Sequence, residues 1–156
     1  MTGTLNLQGF LPYRLSVASY AVSERIAGDY HQRFGLKVPE WRLMAVLGEG
    51  SPQTQRELGR VTRMDKVTVS RAAMALAERG LVSRVASARD GRSHHLALTK
   101  AGWSLYADIS AVALRHEQTI LAGFSAKERA LLGDMLLRLR DAADDLPDDL
   151  AGEGTG

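Results

Sequence analysis

The 156-residue chain contains no cysteine. That absence excludes disulfides, thiolate-bound zinc, thiol nucleophiles and cysteine-based redox sensing. Aromatic residues are few, at 6%. No run of about 18 apolar residues occurs, so no transmembrane helix and no membrane partner are expected. Residues 1–10 have neither a basic n-region nor an apolar h-region, so no secretory signal is expected and a cytoplasmic protein is the default. A phosphate-binding glycine loop, an HExxH, a GxSxG and a convincing carboxylate pair are all missing. The expectation is therefore a protein that is not an enzyme and carries no cofactor. What is present, 45% apolar and 24% charged residues without internal repeats, is the composition of one globular unit.

Net charge is only +2, but its distribution is uneven. Residues 51–92 hold nine basic side chains against four acidic ones, whereas residues 93–156 hold six against ten. A basic middle between less basic ends is the electrostatic footprint of a module that binds a polyanion. The acidic, glycine-rich residues 148–156 are expected to be a disordered tail.

Apolar positions Leu11, Leu15, Ala18, Val22 and Ile26 recur at helical spacing and predict a long first helix that ends at Phe34-Gly35. Pro39, placed at the first helical position, opens a second helix over 40–48. Ser51-Pro52 reads as a turn. Thr54 and Glu57 form a capping box for a short helix ending near Thr62. Asp65 caps a helix over 66–79 that stops at Gly80. Residues 81–86 and 94–98 read as two strands of a hairpin with a basic tip. Thr99 then caps a helix over 100–122, and the box of Ser125 and Glu128 opens a last helix ending near Leu146, before Pro147.

Short capped helix, tight turn, second helix and hairpin, in that order, form a winged helix-turn-helix. The fold expected is mainly α with a small β-hairpin wing, flanked by N- and C-terminal dimerisation helices. Residues 38–99 are assigned to the DNA-binding lobe, and 1–37 with 100–147 to the dimerisation region. The last helix carries Leu132, Met135, Leu136 and Leu139 on one stripe, with Leu131 and Leu137 off it. Together with Leu11 and Leu15 this exceeds what a small core can cover, so a second copy of the chain is the expected partner.

Double-stranded DNA is the other expected partner. On the helix after Asp65, Val69, Ala72, Ala73 and Leu76 form the stripe to be buried, leaving Val67, Ser70, Arg71 and Met74 on the opposite face with Thr68 beside them. Arg71 suits a bidentate contact to guanine, while Val67 and the Thr68 methyl suit thymine methyls. Lys66, Ser70 and the helix N-terminus suit phosphates, and Thr54 joins this set at the start of the preceding helix. At the hairpin tip, Arg89 and Arg92 suit the minor groove, with Asp90 placed to orient Arg92 or simply to make the turn.

These residues carry a resemblance. The stretch Val38-Pro-Glu-Trp-Arg-Leu-Met-Ala-Val-Leu, then Leu58-Gly-Arg-Val, Asp65-Lys-Val-Thr-Val-Ser-Arg, Glu78-Arg-Gly-Leu-Val, Asp90-Gly-Arg-Ser and Leu96-Ala-Leu-Thr-Lys-Ala-Gly102 resembles the MarR family of transcriptional regulators. The likeness covers about residues 10 to 145. It implies a homodimeric repressor on a pseudo-palindromic operator, a recognition helix carrying Thr68 and Arg71, and a minor-groove role for Arg92. It also implies release by a small aromatic, phenolic or carboxylate effector bound between the dimerisation helices and the DNA-binding lobe.

Candidates to line such a site are Tyr13, Arg14, Tyr20, His31, Trp41 and Arg42 on the first two helices: rings for an apolar cavity, and a cation for a carboxylate. No metal site is expected. His94 and His95 are adjacent on a strand and point to opposite faces, and His116 falls on an apolar helical stripe. A constitutive or architectural DNA-binding protein without effector, and a metal-responsive regulator, are the alternatives.

Overall fold

The computed structural model describes residues 4–86 and 94–147. Its elements are α1 (Leu11–Phe34), α2 (Val38–Gly48), α3 (Gln55–Thr62), α4 (Lys66–Glu78), β1 (Val82–Ala86), β2 (His94–Leu98), α5 (Lys100–Ile120) and α6 (Ala126–Asp144). The described residues fall into two compact units divided after His116, inside α5, and the tail expected over 148–156 lies outside the described residues. The expected mainly helical chain with an antiparallel hairpin is what the structure contains.

The core of the first unit assembles from short apolar stripes. Leu43, Met44 and Leu47 of α2, Leu58 of α3 and Leu76 of α4 are all at most 2% exposed. Val69, Ala72, Ala73 and Leu76 of α4 are buried as their spacing requires. Each large side chain sealed in this way stabilises the fold by about 1.5–3 kcal/mol. Paired strands β1 and β2 add Val82, Leu96 and Leu98, with Val82 opposite Leu98. Ile109 and Val112 of α5 close the same core.

Two glycines fix how the helices end and meet. Gly35 adopts φ 63°, closing α1 with its N–H on the His31 carbonyl, a left-handed conformation that costs glycine nothing. At Gly102 a Cβ would overlap the Leu81 carbonyl oxygen, so a residue without a side chain lets α5 rest on the α4–β1 connection.

Several boundaries differ from the sequence expectation. Helix α2 starts at Val38, with Pro39 second, because the Glu40 carboxylate accepts from the Lys37 N–H at 3.0 Å and draws the cap back. Strand β1 starts at Val82 because the Leu81 N–H still bonds the Leu76 carbonyl, finishing α4. Helix α4 stops at Glu78, α5 at Ile120, and α6 at Asp144. A short 3-10 turn over Leu7–Gly9, capped by the Asn6 side chain, was not expected. Nor was the bridge of Gln53 to Leu96, with N–H to carbonyl distances of 3.1 and 2.7 Å, which sets a single residue alongside the free edge of β2.

The apolar stripe of α1 enters the core only at its C-terminal end. Ile26 packs against the core and Tyr30 is fully buried, yet Leu11 is 70% exposed and Leu15 and Val22 are each 40% exposed.

Candidate nucleic-acid interface

The site is built on two capped helix starts. At α3 the Thr54 hydroxyl accepts from the Glu57 N–H at 3.2 Å, and the Glu57 carboxylate accepts from the Thr54 N–H at 2.7 Å and from its hydroxyl at 3.0 Å. At α4 the Asp65 carboxylate accepts from the Thr68 N–H at 2.8 Å and from the Thr68 hydroxyl at 2.6 Å. Between them Arg63 turns the chain at φ 56°, a left-handed conformation unusual for a side-chain-bearing residue.

These hydrogen bonds set the charge of both acids. The Thr54 N–H, then its hydroxyl, holds the Glu57 carboxyl below its ordinary value, with the charges of His95 and Arg60 adding to this. The Thr68 hydroxyl and then its N–H do the same for Asp65. Both carboxylates are thus engaged by donors at the helix starts, and Arg56, Arg60, Lys66 and Arg71 are exposed on the same two helices.

Helix α4 presents the face its sequence implies. Lys66 and Arg71 are exposed, Val67 and Met74 are 57% and 58% exposed, and Thr68 and Ser70 are half-buried at its edge. Exposed valine and methionine beside cations make sense on a surface that meets base edges and phosphates together. Beside this face an open cleft of about 430 Å³ is lined by Gln55, Arg56, Gly59, Met64 and Lys66. Gln55 and Arg56 were missed as site residues, although the capping box that places them at the start of α3 is plain in the sequence. Thr54 lies at this end of the site, with its hydroxyl already engaged in the cap. Arg89, Asp90 and Arg92 fall outside the described residues.

The effector candidates are spread out within one chain. Tyr13, Arg14, Tyr20 and His31 are exposed along α1, and from Tyr13 to His31 the helix rises about 27 Å. Trp41 and Arg42 are half-buried on α2, with the Trp41 ring edge-on to Tyr30 at 5.2 Å. Sequence reasoning missed Tyr30 itself, whose buried hydroxyl finds no hydrogen-bond partner among the described residues and whose ionisation burial pushes up. It also missed Asp29, which accepts from Arg33 at 3.0 Å and lies 2.9 Å from His116 Nε2. Arg33, then His116, holds the Asp29 carboxyl below its ordinary value. A tyrosine one helical turn past Ile26 was visible as an extension of the apolar stripe; the contact of Asp29 with His116, 87 residues away, was not.

The dimerisation candidates are all on the surface of the chain: Leu11 at 70%, Leu15 at 40%, Leu132 at 39%, Met135 at 54%, Leu136 at 45% and Leu139 at 49% exposed. Among the described residues no group of three histidine or acidic side chains is placed to hold a metal, and no helix is long and apolar enough to cross a membrane.

Comparison with known proteins is decisive for the family. The MarR family sequence model matches residues 34–93, which run from the end of α1 through the helix-turn-helix and β1 and stop just before β2. The chain belongs to the MarR family. It is 29% identical over 103 residues to the uncharacterized HTH-type transcriptional regulator YwoH of Bacillus subtilis, covering 66% of this chain and 74% of YwoH. It superposes on the MarR/EmrR family regulator of Acinetobacter sp. ADP1 with a TM-score of 0.84 at 25% identity, covering 91% of this chain and all of that one. The PcaV regulator of Streptomyces coelicolor, solved in complex with its natural ligand, matches with a TM-score of 0.72 at 25% identity over 91% of this chain and 99% of PcaV. The MarR assignment makes the chain a transcriptional regulator with a winged helix-turn-helix.

Proposed function

We propose that this MarR-family regulator is a homodimeric repressor that binds a pseudo-palindromic operator and is released by a small aromatic or carboxylate ligand. The observation that carries the DNA reading is α4: capped at Asp65, buried along Val69, Ala72, Ala73 and Leu76, and open along Lys66, Val67, Arg71 and Met74. Arg71 reads a guanine edge, Val67 and the Thr68 methyl meet thymine methyls, and Lys66, Ser70 and the start of α3 at Thr54 seat on phosphates. Arg89 and Arg92, with Asp90, serve the minor groove. Repression follows from occupancy, since a dimer seated across two half-sites blocks access to the DNA beneath it.

Dimerisation is supported by the exposed leucines of α1 and α6, large apolar side chains left in water along both helices, which a second copy would cover. The dimerisation region is residues 1–37 with 100–147, and residues 38–99 are the reading lobe. Release by a ligand rests on PcaV, which was solved with one, and on the aromatic and cationic residues of α1 and α2. Such a protein works in the cytoplasm and needs neither a catalytic group nor a cofactor.

The test is a fluorescence-anisotropy titration against the DNA upstream of the protein's own gene, at two salt concentrations, with scrambled competitor and with a panel of aromatic acids. Binding that survives the competitor and weakens with one acid is the expected result. Specific binding indifferent to every acid favours a constitutive regulator. Equal binding to every sequence contradicts the repressor reading.

A further inference from the structure

We infer that Arg79 is a positioning residue that locks the reading helix to the dimerisation helices and so sets the angle at which α4 meets DNA. Arg79 caps the C-terminus of α4, and its side chain turns away from that helix. One guanidinium nitrogen donates to the Phe34 carbonyl at 2.9 Å and the other to the Gly35 carbonyl at 3.3 Å. These are carbonyls at the end of α1, where a helix runs out of its own donors and carries partial negative charge. A planar fork with two donors suits two successive carbonyls better than a single ammonium does.

The opposite side of the same junction is held by α5. The Thr99 hydroxyl donates to the Gly80 carbonyl at 2.6 Å and accepts from the Gly102 N–H at 3.1 Å, while the Thr99 N–H donates to the Leu81 carbonyl at 3.0 Å. The bare Cα of Gly102 lets α5 lie against Leu81. The last residues of α4 are therefore pinned between the end of α1 and the start of α5, whereas its first half is open for reading. A rigid helix held at one end is a lever. Arg71 lies about 12 Å along the axis from Arg79, so a 10° pivot at the junction moves it by about 2 Å. Bidentate base contacts tolerate only about 0.5 Å. Movement of α1 against α5 thus reaches the DNA through the Arg79 clamp. This inference rests on the regulator reading for its DNA consequence, but its structural half stands alone.

The experiment uses the full-length protein with Arg79→Gln and Arg79→Lys. Two measurements are made: hydrogen exchange without DNA, and anisotropy with a duplex enriched by the parent protein from a random library beside a scrambled duplex. For Arg79→Gln the expected result is faster exchange at residues 31–36 and also at 66–72, the far half of α4. Affinity for the enriched duplex falls about tenfold, with scrambled binding and salt slope unchanged. Arg79→Lys, which keeps the charge but not the two-donor fork, recovers only part of both effects. Faster exchange confined to 31–36 with parental affinity makes Arg79 a local cap and overturns the inference. Equal loss on both duplexes with a shallower salt slope makes it a phosphate contact and also overturns it. Should the parent enrich no sequence, the regulator reading fails, and the exchange at 66–72 decides the clamp by itself.

Discussion

Between Val38 and Leu98 the chain buries Leu43, Leu58 and Leu76 completely, whereas α6 has no buried residue although it carries six leucine and methionine side chains. Helix α1 shows both behaviours in one element, with Leu11 open and Tyr30 sealed. The two regions are written in the same helical period, so period identifies which face of a helix must be covered but not what covers it. In the reading lobe the cover is the chain itself. At the chain ends the proposed cover is a second copy.

The largest effect is expected at Leu136→Asp, which places a charge on the open stripe of α6. The protein becomes monomeric by sedimentation, keeps its helical circular dichroism, and binds operator about 100-fold more weakly because two linked half-sites become one. A stable dimer after this change breaks the comparison from the side of the chain ends. Leu58→Ala is expected to cost about 2–5 kcal/mol of unfolding free energy, since it empties a fully enclosed position. A loss below 1 kcal/mol would show that the lobe's core is no better sealed than the terminal helices.

Two further changes sharpen the picture inside the lobe. Arg71→Ala is expected to remove roughly 1–3 kcal/mol of specific binding and relax preference at one base pair, with stability unchanged. Thr54→Ala, which dismantles the α3 cap, is expected to lower stability by about 1 kcal/mol in denaturant titration. An unchanged base preference for Arg71→Ala reassigns the contact. An unchanged midpoint for Thr54→Ala removes the cap from the account.

Acid titration gives the smallest effect. The folded-state values of Glu57, Asp65, Asp29 and Glu128 are lowered from ordinary values of 4.5 for Glu and 3.8 for Asp, so each contributes stability above its ordinary value. That contribution is lost as pH falls through the lowered values. Thermal melts are expected to hold steady from neutrality to the ordinary carboxylate range and to decline below it. Asp65→Asn should make that decline shallower; an identical acid limb would show that the cap carboxylate is not the group responsible.

Much of the architecture was legible because its signals are local. Capping boxes at Thr54 and Ser125, the cap at Asp65 and the left-handed Gly35 each involve residues a few positions apart, and all appear where expected. The buried stripe of α4 was legible for the same reason. What escaped is long-range or without period: the single rung between Gln53 and Leu96, the contact of Asp29 with His116, and the clamp of Arg79 on carbonyls 44 and 45 residues away. Arg79 in sequence is only another surface cation beside a glycine, and nothing in its neighbours announces a partner on α1. Gln55 and Arg56, which line the cleft beside α4, went unnamed because of α3 only Thr54 was expected at the interface.

Two copies of this chain are proposed to read DNA through α4. Selection of a random duplex library on the full-length protein, followed by mass measurement of the complex, tests it most directly. Enrichment of an inverted repeat with half-site centres about one helical turn apart, bound by two chains, is the expected result. Recovery of no sequence above the starting pool, or of a single half-site bound by one chain, would contradict it.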